Sequence, residues 1–375
     1  MLAGAFLILF LTRADAFLYG HELIGIRPAL IFAAGAGLLM VCGIIFGASL
    51  TVLSRSAAVV LPYLAMVFIS MASLTVNPPI SLADAETPFW DFALFVFALG
   101  LGGLRIGTGT WRGIALSALV VTTAALVVDA FLPGTFSTTA YRAAGFAENP
   151  NGGAMIAVVL MASALRWEEA RIATPDVVAM VLASVSVFFA QSRGGLISCV
   201  VCLFFFARHR IHRSSLSSLT AACVVAVFVF WLARERYIPL FSEDSARRDV
   251  FITWSRIDVE GSDRQREEAA AGSLRLALER PLAGWGNGYV ASLPVGPHNM
   301  YLARWVDDGL FGLLAYLWLI AALGWTNYRR GNSRGVMLVC ILAVSGFASH
   351  NLLEDRSIWL LIGQSTGCAL LRRRL

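Results

Sequence analysis

Twelve apolar runs crowd this chain, half of them close to the roughly 20 residues a helix needs to cross a hydrocarbon core and the rest shorter. They fall at 1–11, 28–50, 57–75, 88–104, 112–132, 152–166, 176–190, 194–207, 216–233, 308–326, 336–350 and 358–371. Composition agrees with a bilayer as the solvent: 58% of residues are hydrophobic, 14% are charged and the mean hydropathy is +0.73, where soluble domains carry about 25% charged residues. The expected fold is an all-α polytopic membrane protein of about 12 transmembrane helices. Residues 1–375 then form one integral membrane domain, with a large helical loop at 234–307 inside it. The first run leads into Thr12-Arg13-Ala14-Asp15 with no small-residue cleavage pattern. It is therefore read as a first span rather than a signal peptide.

Arginine sets the orientation, since all 29 basic residues are Arg. Arg55, Arg105 with Arg112, Arg166 with Arg171, the run Arg208-His209-Arg210-Ile211-His212-Arg213, the group Arg329, Arg330 and Arg334, and the tail Arg372-Arg373-Arg374 lie on one side of these spans. The positive-inside rule makes that side the cytoplasm. Both termini are then cytoplasmic, and loops 12–27, 76–87, 133–151, 191–193, 234–307 and 351–357 face outward. His209 and His212 read as part of a solvated basic turn. The cysteines Cys42, Cys199, Cys202, Cys223, Cys340 and Cys368 all sit in apolar runs. There they behave as small hydrophobes and imply neither a disulfide framework nor a metal site.

The long outward loop is not a linker, because it carries helix signals. Ser262 and Gln265 fit a capping box, and a helical run continues to Glu279 before Arg280-Pro281 and the glycines of Gly284-Trp285-Gly286-Asn287-Gly288 stop it. Ala270, Leu274, Ala277 and Leu278 share a face, and Arg266 heads that stripe one turn earlier. Arg266 reads either as a cation snorkelling to lipid phosphates or as a clamp on a lipid-linked phosphate. The glycine cluster follows a helix and lacks G-x-G-x-x-G, so it is poor support for a nucleotide.

Three other outward segments carry polar clusters. Gln191-Ser192-Arg193-Gly194-Gly195 joins two short apolar runs and places Arg193 at the lipid boundary, where it needs an anion. Either a carboxylate such as Asp91, Asp129 or Glu354 supplies it, or a substrate phosphate does. Glu148-Asn149-Pro150-Asn151-Gly152-Gly153 has the form of a capped helix start, and the amides of Asn149 and Asn151 could equally hold sugar hydroxyls. His350-Asn351-Leu352-Leu353-Glu354-Asp355-Arg356 sets a histidine and the carboxylates of Glu354 and Asp355 at the outer end of a span. Capping with a local salt bridge, and a role in the site, both fit that segment.

His298 follows Pro297, which favours the first helical position and places the imidazole in the first turn of the next helix. The positive end of the helix dipole opposes protonation there. A neutral imidazole can accept a hydroxyl proton as a general base. Tyr301 and Trp305, at i+3 and i+7, put rings beside it that could stack on a sugar.

Together, Glu148-Asn149-Pro150-Asn151, Ser192-Arg193-Gly194, Arg266 leading to Glu279-Arg280-Pro281-Leu282-Ala283-Gly284-Trp285-Gly286, and His298-Asn299-Met300-Tyr301-Leu302 with Asp308-Gly309-Leu310-Phe311-Gly312 resemble the O-antigen ligase and polymerase superfamily in order and spacing. The resemblance covers about residues 140 to 355. It implies a GT-C-like membrane protein of the bacterial inner membrane, with the 234–307 loop and the active site in the periplasm. It also implies a metal-independent inverting glycosyltransferase that needs no cofactor. The donor would be a glycan on undecaprenyl diphosphate, and the acceptor a hydroxyl of lipid A core or of a growing glycan. His298 matches the family's catalytic histidine, Arg193 its Ser-Arg-Gly arginine, and Arg266 the arginine of the periplasmic helix, with Arg264 as the other candidate for that place. Asn149, Asn151, Asn299, Tyr301, Glu354 and Asp355 are the expected substrate-binding residues. No nucleic acid is expected as a partner; the lipid bilayer is.

Ligation to lipid A core and polymerisation of repeat units on the carrier share this chemistry and differ in the acceptor. A non-enzymatic lipid-linked oligosaccharide flippase, or another transporter, would instead place ionisable residues at mid-span and show an internal repeat. Most charges here sit at span ends and no repeat is visible. The orientation has a direct check: a cysteine introduced at Ser262 should react with a membrane-impermeant maleimide in intact spheroplasts. Labelling only after lysis would reverse the assignment.

Overall fold

A computed structural model of the chain describes residues 2–25, 28–45, 47–76, 82–104, 106–132, 135–137, 142–169, 171–208, 259–349 and 355–371. These residues form the helices α1 (Leu2–Leu11), α2 (Ala14–Gly20), α3 (Pro28–Ile45), α4 (Ser49–Ser54), α5 (Ala57–Val76), α6 (Leu82–Leu101), α7 (Thr108–Phe131), α8 (Pro150–Ala164), α9 (Thr174–Ala190), α10 (Arg193–Arg208), α11 (Val259–Glu279), α12 (Met300–Arg329), α13 (Ser333–Ser345) and α14 (Arg356–Leu371). No strand occurs among them. The expected spans coincide with helices, except 216–233, which lies outside the described residues together with His209, His212, Cys223, His350 and Glu354. Three helices are long and apolar enough to cross a bilayer by themselves: Ala57–Thr75, Thr108–Phe131 and Met300–Arg329. Others, such as Pro150–Ala164 and Thr174–Ala190, are apolar but shorter. One expected span is divided: 28–50 ends as a helix at Ile45 and resumes as the separate α4.

Helix α8 is the axis of the bundle. From Gly153 to Ala164 every residue is buried, which suits a run that is small and apolar all round rather than on one stripe. It packs on α7, α9, α10, α13 and α14. Helices α6 and α14 make the most extensive pairing, because Gly363 and Gly367 of α14 face the α6 backbone. A Cβ at Gly367 would lie 2.2 Å from Leu99 O. Such close approach is the means by which membrane helices gain contact when lipid tails are as apolar as leucine.

Helix α12 carries the feature that positions the outer loop. Gly309 has φ 69 and ψ −170, a break that divides the helix into Met300–Asp308 and Leu310–Arg329. The segment after α11 docks there through its backbone: Leu310 N donates to Pro281 O, Trp285 N to Val306 O and Gly286 N to Asp307 O. Beside the break Asp308 is buried and accepts from Ser70 Oγ, Ser73 Oγ and Arg304 Nη1. Ser73 Oγ also accepts from Asn287 N. The loop, α5 and α12 are thus one hydrogen-bonded unit.

Helix α11 lies on this unit. Ala277, Val290, Ala303 and Val306 form a small core of their own, closed by Leu276, Trp285, Tyr289, Leu293, Leu302 and Trp305. The inward face of α11 runs through Arg266, Ala270, Ser273 and Ala277, whereas Leu274 and Leu278 point outward. That corrects the expected stripe. The helix also begins at Val259, one turn before the expected Ser262 cap.

Gly309 occupies backbone space essentially restricted to glycine, and a Cβ there would lie 2.0 Å from Leu282 O. Gly309→Ala should therefore lower stability by about 2–4 kcal/mol, from backbone strain and overpacking together. Gly272→Ala, in the middle of α11 with open space around the added carbon, should be neutral or stabilising by up to about 1 kcal/mol. Thermal unfolding of the detergent-solubilised proteins compares the two. Equal melting temperatures for Gly309→Ala and the parent would mean that the break does not need glycine.

Candidate functional site

The site is assembled where five segments end. The first is the junction of α9 and α10, where Gln191 adopts φ 49 and closes α9. Ser192 Oγ accepts from Gly195 N and so starts α10. Arg193 is thereby the first residue of α10, and it is exposed. Gly194 abuts the turn after α13, with a Cβ placed 2.9 Å from that of Ala348. The same turn holds the start of α12, because Met300 N donates to Gly346 O at 2.7 Å.

His298 lies just ahead of that helix start. Helix α12 begins at Met300, and Asn299 is its N-cap, its side chain accepting from Leu302 N at 3.1 Å. The expectation that Pro297 starts the helix and that His298 sits in its first turn is thus corrected by three residues, from Pro297 to Met300. The Asn299 cap outcompetes proline at the first position, and His298 takes φ 47 instead. Its imidazole is half-buried, and burial and the Arg266 guanidinium push its pKa down. The neutral form is favoured as expected, but the causes are burial and a facing cation.

Arg266 reaches this point from the inward face of α11. Arg264 does not: it is exposed and pairs with Glu268 at 3.0 Å on the outer side of the same helix. The i to i+2 spacing on a helix requires that the two face differently.

A third arginine joins them, and the sequence reading missed it. Arg142 donates through Nε to Ala190 O at 3.3 Å, and through Nη2 to Ala190 O, Gln191 O and Asn151 Oδ1 at 3.1 Å each. Burial and the charges of Arg266 and Arg193 lower its pKa to about 10. Arg142 is therefore within electrostatic reach of Arg193 and Arg266, and His298 within reach of Arg266, although the four residues come from segments far apart in sequence. The signal for Arg142 is present in the sequence, since it is an arginine in one of the short loops assigned to the outward side, and those short loops carry few arginines.

The other expected site residues have local duties. Asn149 caps α8 by accepting from Asn151 N at 2.9 Å, and Asn151 holds Arg142. Tyr301 turns toward α13, its hydroxyl donating to Ala343 O at 2.7 Å and its ring lying 4.6 Å from that of Phe347. Trp305 Nε1 donates to Pro281 O. Asp355 is buried and caps α14, accepting from Ser357 N at 2.9 Å. Asp129 accepts from the backbone N–H groups of Phe136, Ser137 and Ala144. Asp91 lies within electrostatic reach of Arg304. Asp129 is thus committed to the backbone of its own loop. No group of three or more His, Cys, Asp or Glu side chains able to hold a metal occurs among the described residues.

Residues 178–317 match the family described as O-antigen ligase. The matched segment contains Arg193, Arg264, Arg266, His298, Asn299 and Tyr301, and is narrower than the 140–355 over which the sequence motifs run. No curated protein matches the chain.

The cause assigned to the His298 shift can be measured. Histidine NMR of labelled protein in nanodiscs should place the His298 midpoint below the ordinary 6.5. Replacing Arg266 by Gln removes a cation that opposes protonation, so the midpoint should rise. An unchanged midpoint would separate the two residues.

Proposed function

We propose, for a chain whose match over residues 178–317 supports the O-antigen ligase and polymerase superfamily, that it is a membrane glycosyltransferase moving a glycan from an undecaprenyl-diphosphate carrier to an acceptor hydroxyl. In this reading the acceptor is lipid A core; a growing glycan would make the same site a repeat-unit polymerase. The enzyme lies in the bacterial inner membrane with both termini in the cytoplasm and the site on the periplasmic face. The observation that supports this reading is that Arg266 lies within electrostatic reach of His298, and that Arg142 lies within reach of both Arg266 and Arg193.

The chemistry follows from charge. Arg193 and Arg266 bind the diphosphate oxygens, and the N-terminus of α10 adds its partial positive charge beside Arg193. His298, held neutral, takes the proton of the acceptor hydroxyl while that oxygen attacks the anomeric carbon from the face opposite the phosphate. The carbon–oxygen bond to phosphate breaks and its electron pair leaves with the diphosphate, giving inversion. The guanidiniums stabilise the charge that accumulates on the leaving group, the part a divalent cation plays in other enzymes. Transfer is therefore metal-independent, and the activated carrier supplies the driving force. Asn299 positions His298 through the cap, whereas Arg264, turned outward, is left out of the binding set.

Reconstituted protein with purified donor and the two acceptors tests this. His298→Ala should lose on the order of 10²–10⁴ in rate, the usual contribution of a general base, with donor binding near that of the parent. EDTA should have no effect. Transfer abolished by EDTA, or a parental rate for His298→Ala, would show the mechanism to be wrong. The acceptor consumed decides between ligase and polymerase.

A further inference from the structure

We propose that Arg142 is a third diphosphate-binding residue, fixed at the site by the end of α9. The inference rests on the transfer reaction proposed above and deepens it. The Arg142 guanidinium is held on one side only: Nε and Nη2 make its hydrogen bonds to Ala190 O, Gln191 O and Asn151 Oδ1, while Nη1, with two further N–H donors, makes none among the described residues. The loop bearing it is pinned in turn by Asp129, which accepts from the N–H of Ala144 at 2.7 Å, and by Ala143 N donating to Phe189 O. Its direction is therefore set by two helix ends and not by a flexible stem.

The charge balance explains what such a group can do. Arg142 is kept in a partly buried place although Arg193 and Arg266 repel it. The terminal carbonyls of α9 offset that repulsion in part. An anion between the three guanidiniums offsets the rest. A glycosyl diphosphate diester carries two negative charges, and breaking its bond to the sugar adds a third to the departing lipid diphosphate. Three guanidiniums match the charge after bond cleavage, which is where binding must be strongest if the rate is to rise. Because the same guanidinium grips Gln191 O, it also fixes the junction from which Arg193 projects.

Two probes in nanodiscs test this: inorganic pyrophosphate, and farnesyl diphosphate as a short analogue of the leaving lipid. For Arg142→Met, both should bind about 10- to 100-fold more weakly than to the parent, the loss expected for charged hydrogen bonds, and with less dependence on ionic strength. The His298 NMR midpoint should stay at its parental value, showing an intact site. Weaker binding of both probes assigns the contact to the diphosphate itself; weaker binding of farnesyl diphosphate alone assigns it to the lipid-linked form. Equal binding by parent and variant overturns the role of Arg142 and leaves the transfer reaction standing. A parent that binds neither probe overturns both. If Arg142→Met does not insert, Asn151→Ala, which removes one anchor of the guanidinium, should weaken binding several-fold, and unchanged binding there counts equally against the role.

Discussion

The break at Gly309 is the constraint on which the outer half of this molecule depends. A helix that opens where it is buried in the protein strands carbonyls and an N–H that water cannot reach, at a cost of up to several kcal/mol each. Here the stranded groups are Val306 O, Asp307 O and Leu310 N, and the Pro281–Gly286 segment satisfies all three through its own backbone. The break therefore specifies its partner. Gly284 and Gly309 are required on the two sides because each backbone passes within contact distance of the other, Leu282 O and Asp307 O being the nearest atoms. Once the segment is docked, α11 has one place to lie, with Ala277 buried against Ala303 and Val306. Arg266 and His298 then meet at the far end.

Seen this way, the glycine-rich stretch is an architectural element rather than a ligand cradle, and the buried pair of Arg304 and Asp308 belongs to the same device. A buried ion pair adds little net stability over a packed apolar pair, but removing one partner costs about 3–5 kcal/mol. Asp308 also gathers Ser70 and Ser73, so the pair makes the docking specific for one arrangement of α5, α12 and the loop. Ionisable groups inside a span commonly mark a transport path. In α12 they are explained by the hydrogen bonds they make at the outer side of its break.

How far the sequence reveals this structure differs from element to element. The apolar runs give the helices directly, because bilayer length and hydropathy act on each run separately. The division after Ile45 is hidden, since nothing in composition separates a span that turns from one that continues. Cap chemistry is legible at Asn149 but masked at Asn299, where proline draws the expected helix start three residues early. Arg193, Arg266 and His298 are found by motif, but their convergence is a property of tertiary packing. Choosing between Arg264 and Arg266 needs the phase of α11, which the outward Leu274 and Leu278 disguise. Arg142 carries no motif, and only its place in a short loop expected on the outward side marks it.

The family match ends short of what the site needs. Residues 178–317 supply Arg193, Arg266 and His298, yet the carbonyls that close α9 are gripped by Arg142, and the loop bearing Arg142 is shaped by Asp129. The turn against which Gly194 and Met300 lie comes from beyond α13. Arg142, from outside the matched segment, ties the carbonyls that end α9 to Asn151 at the start of α8. Preorganised charge must be assembled during folding if it is to act without rearrangement during reaction, and under the proposed transfer reaction Asn151 and Asp129 would bear on the rate only through the geometry of one helix end.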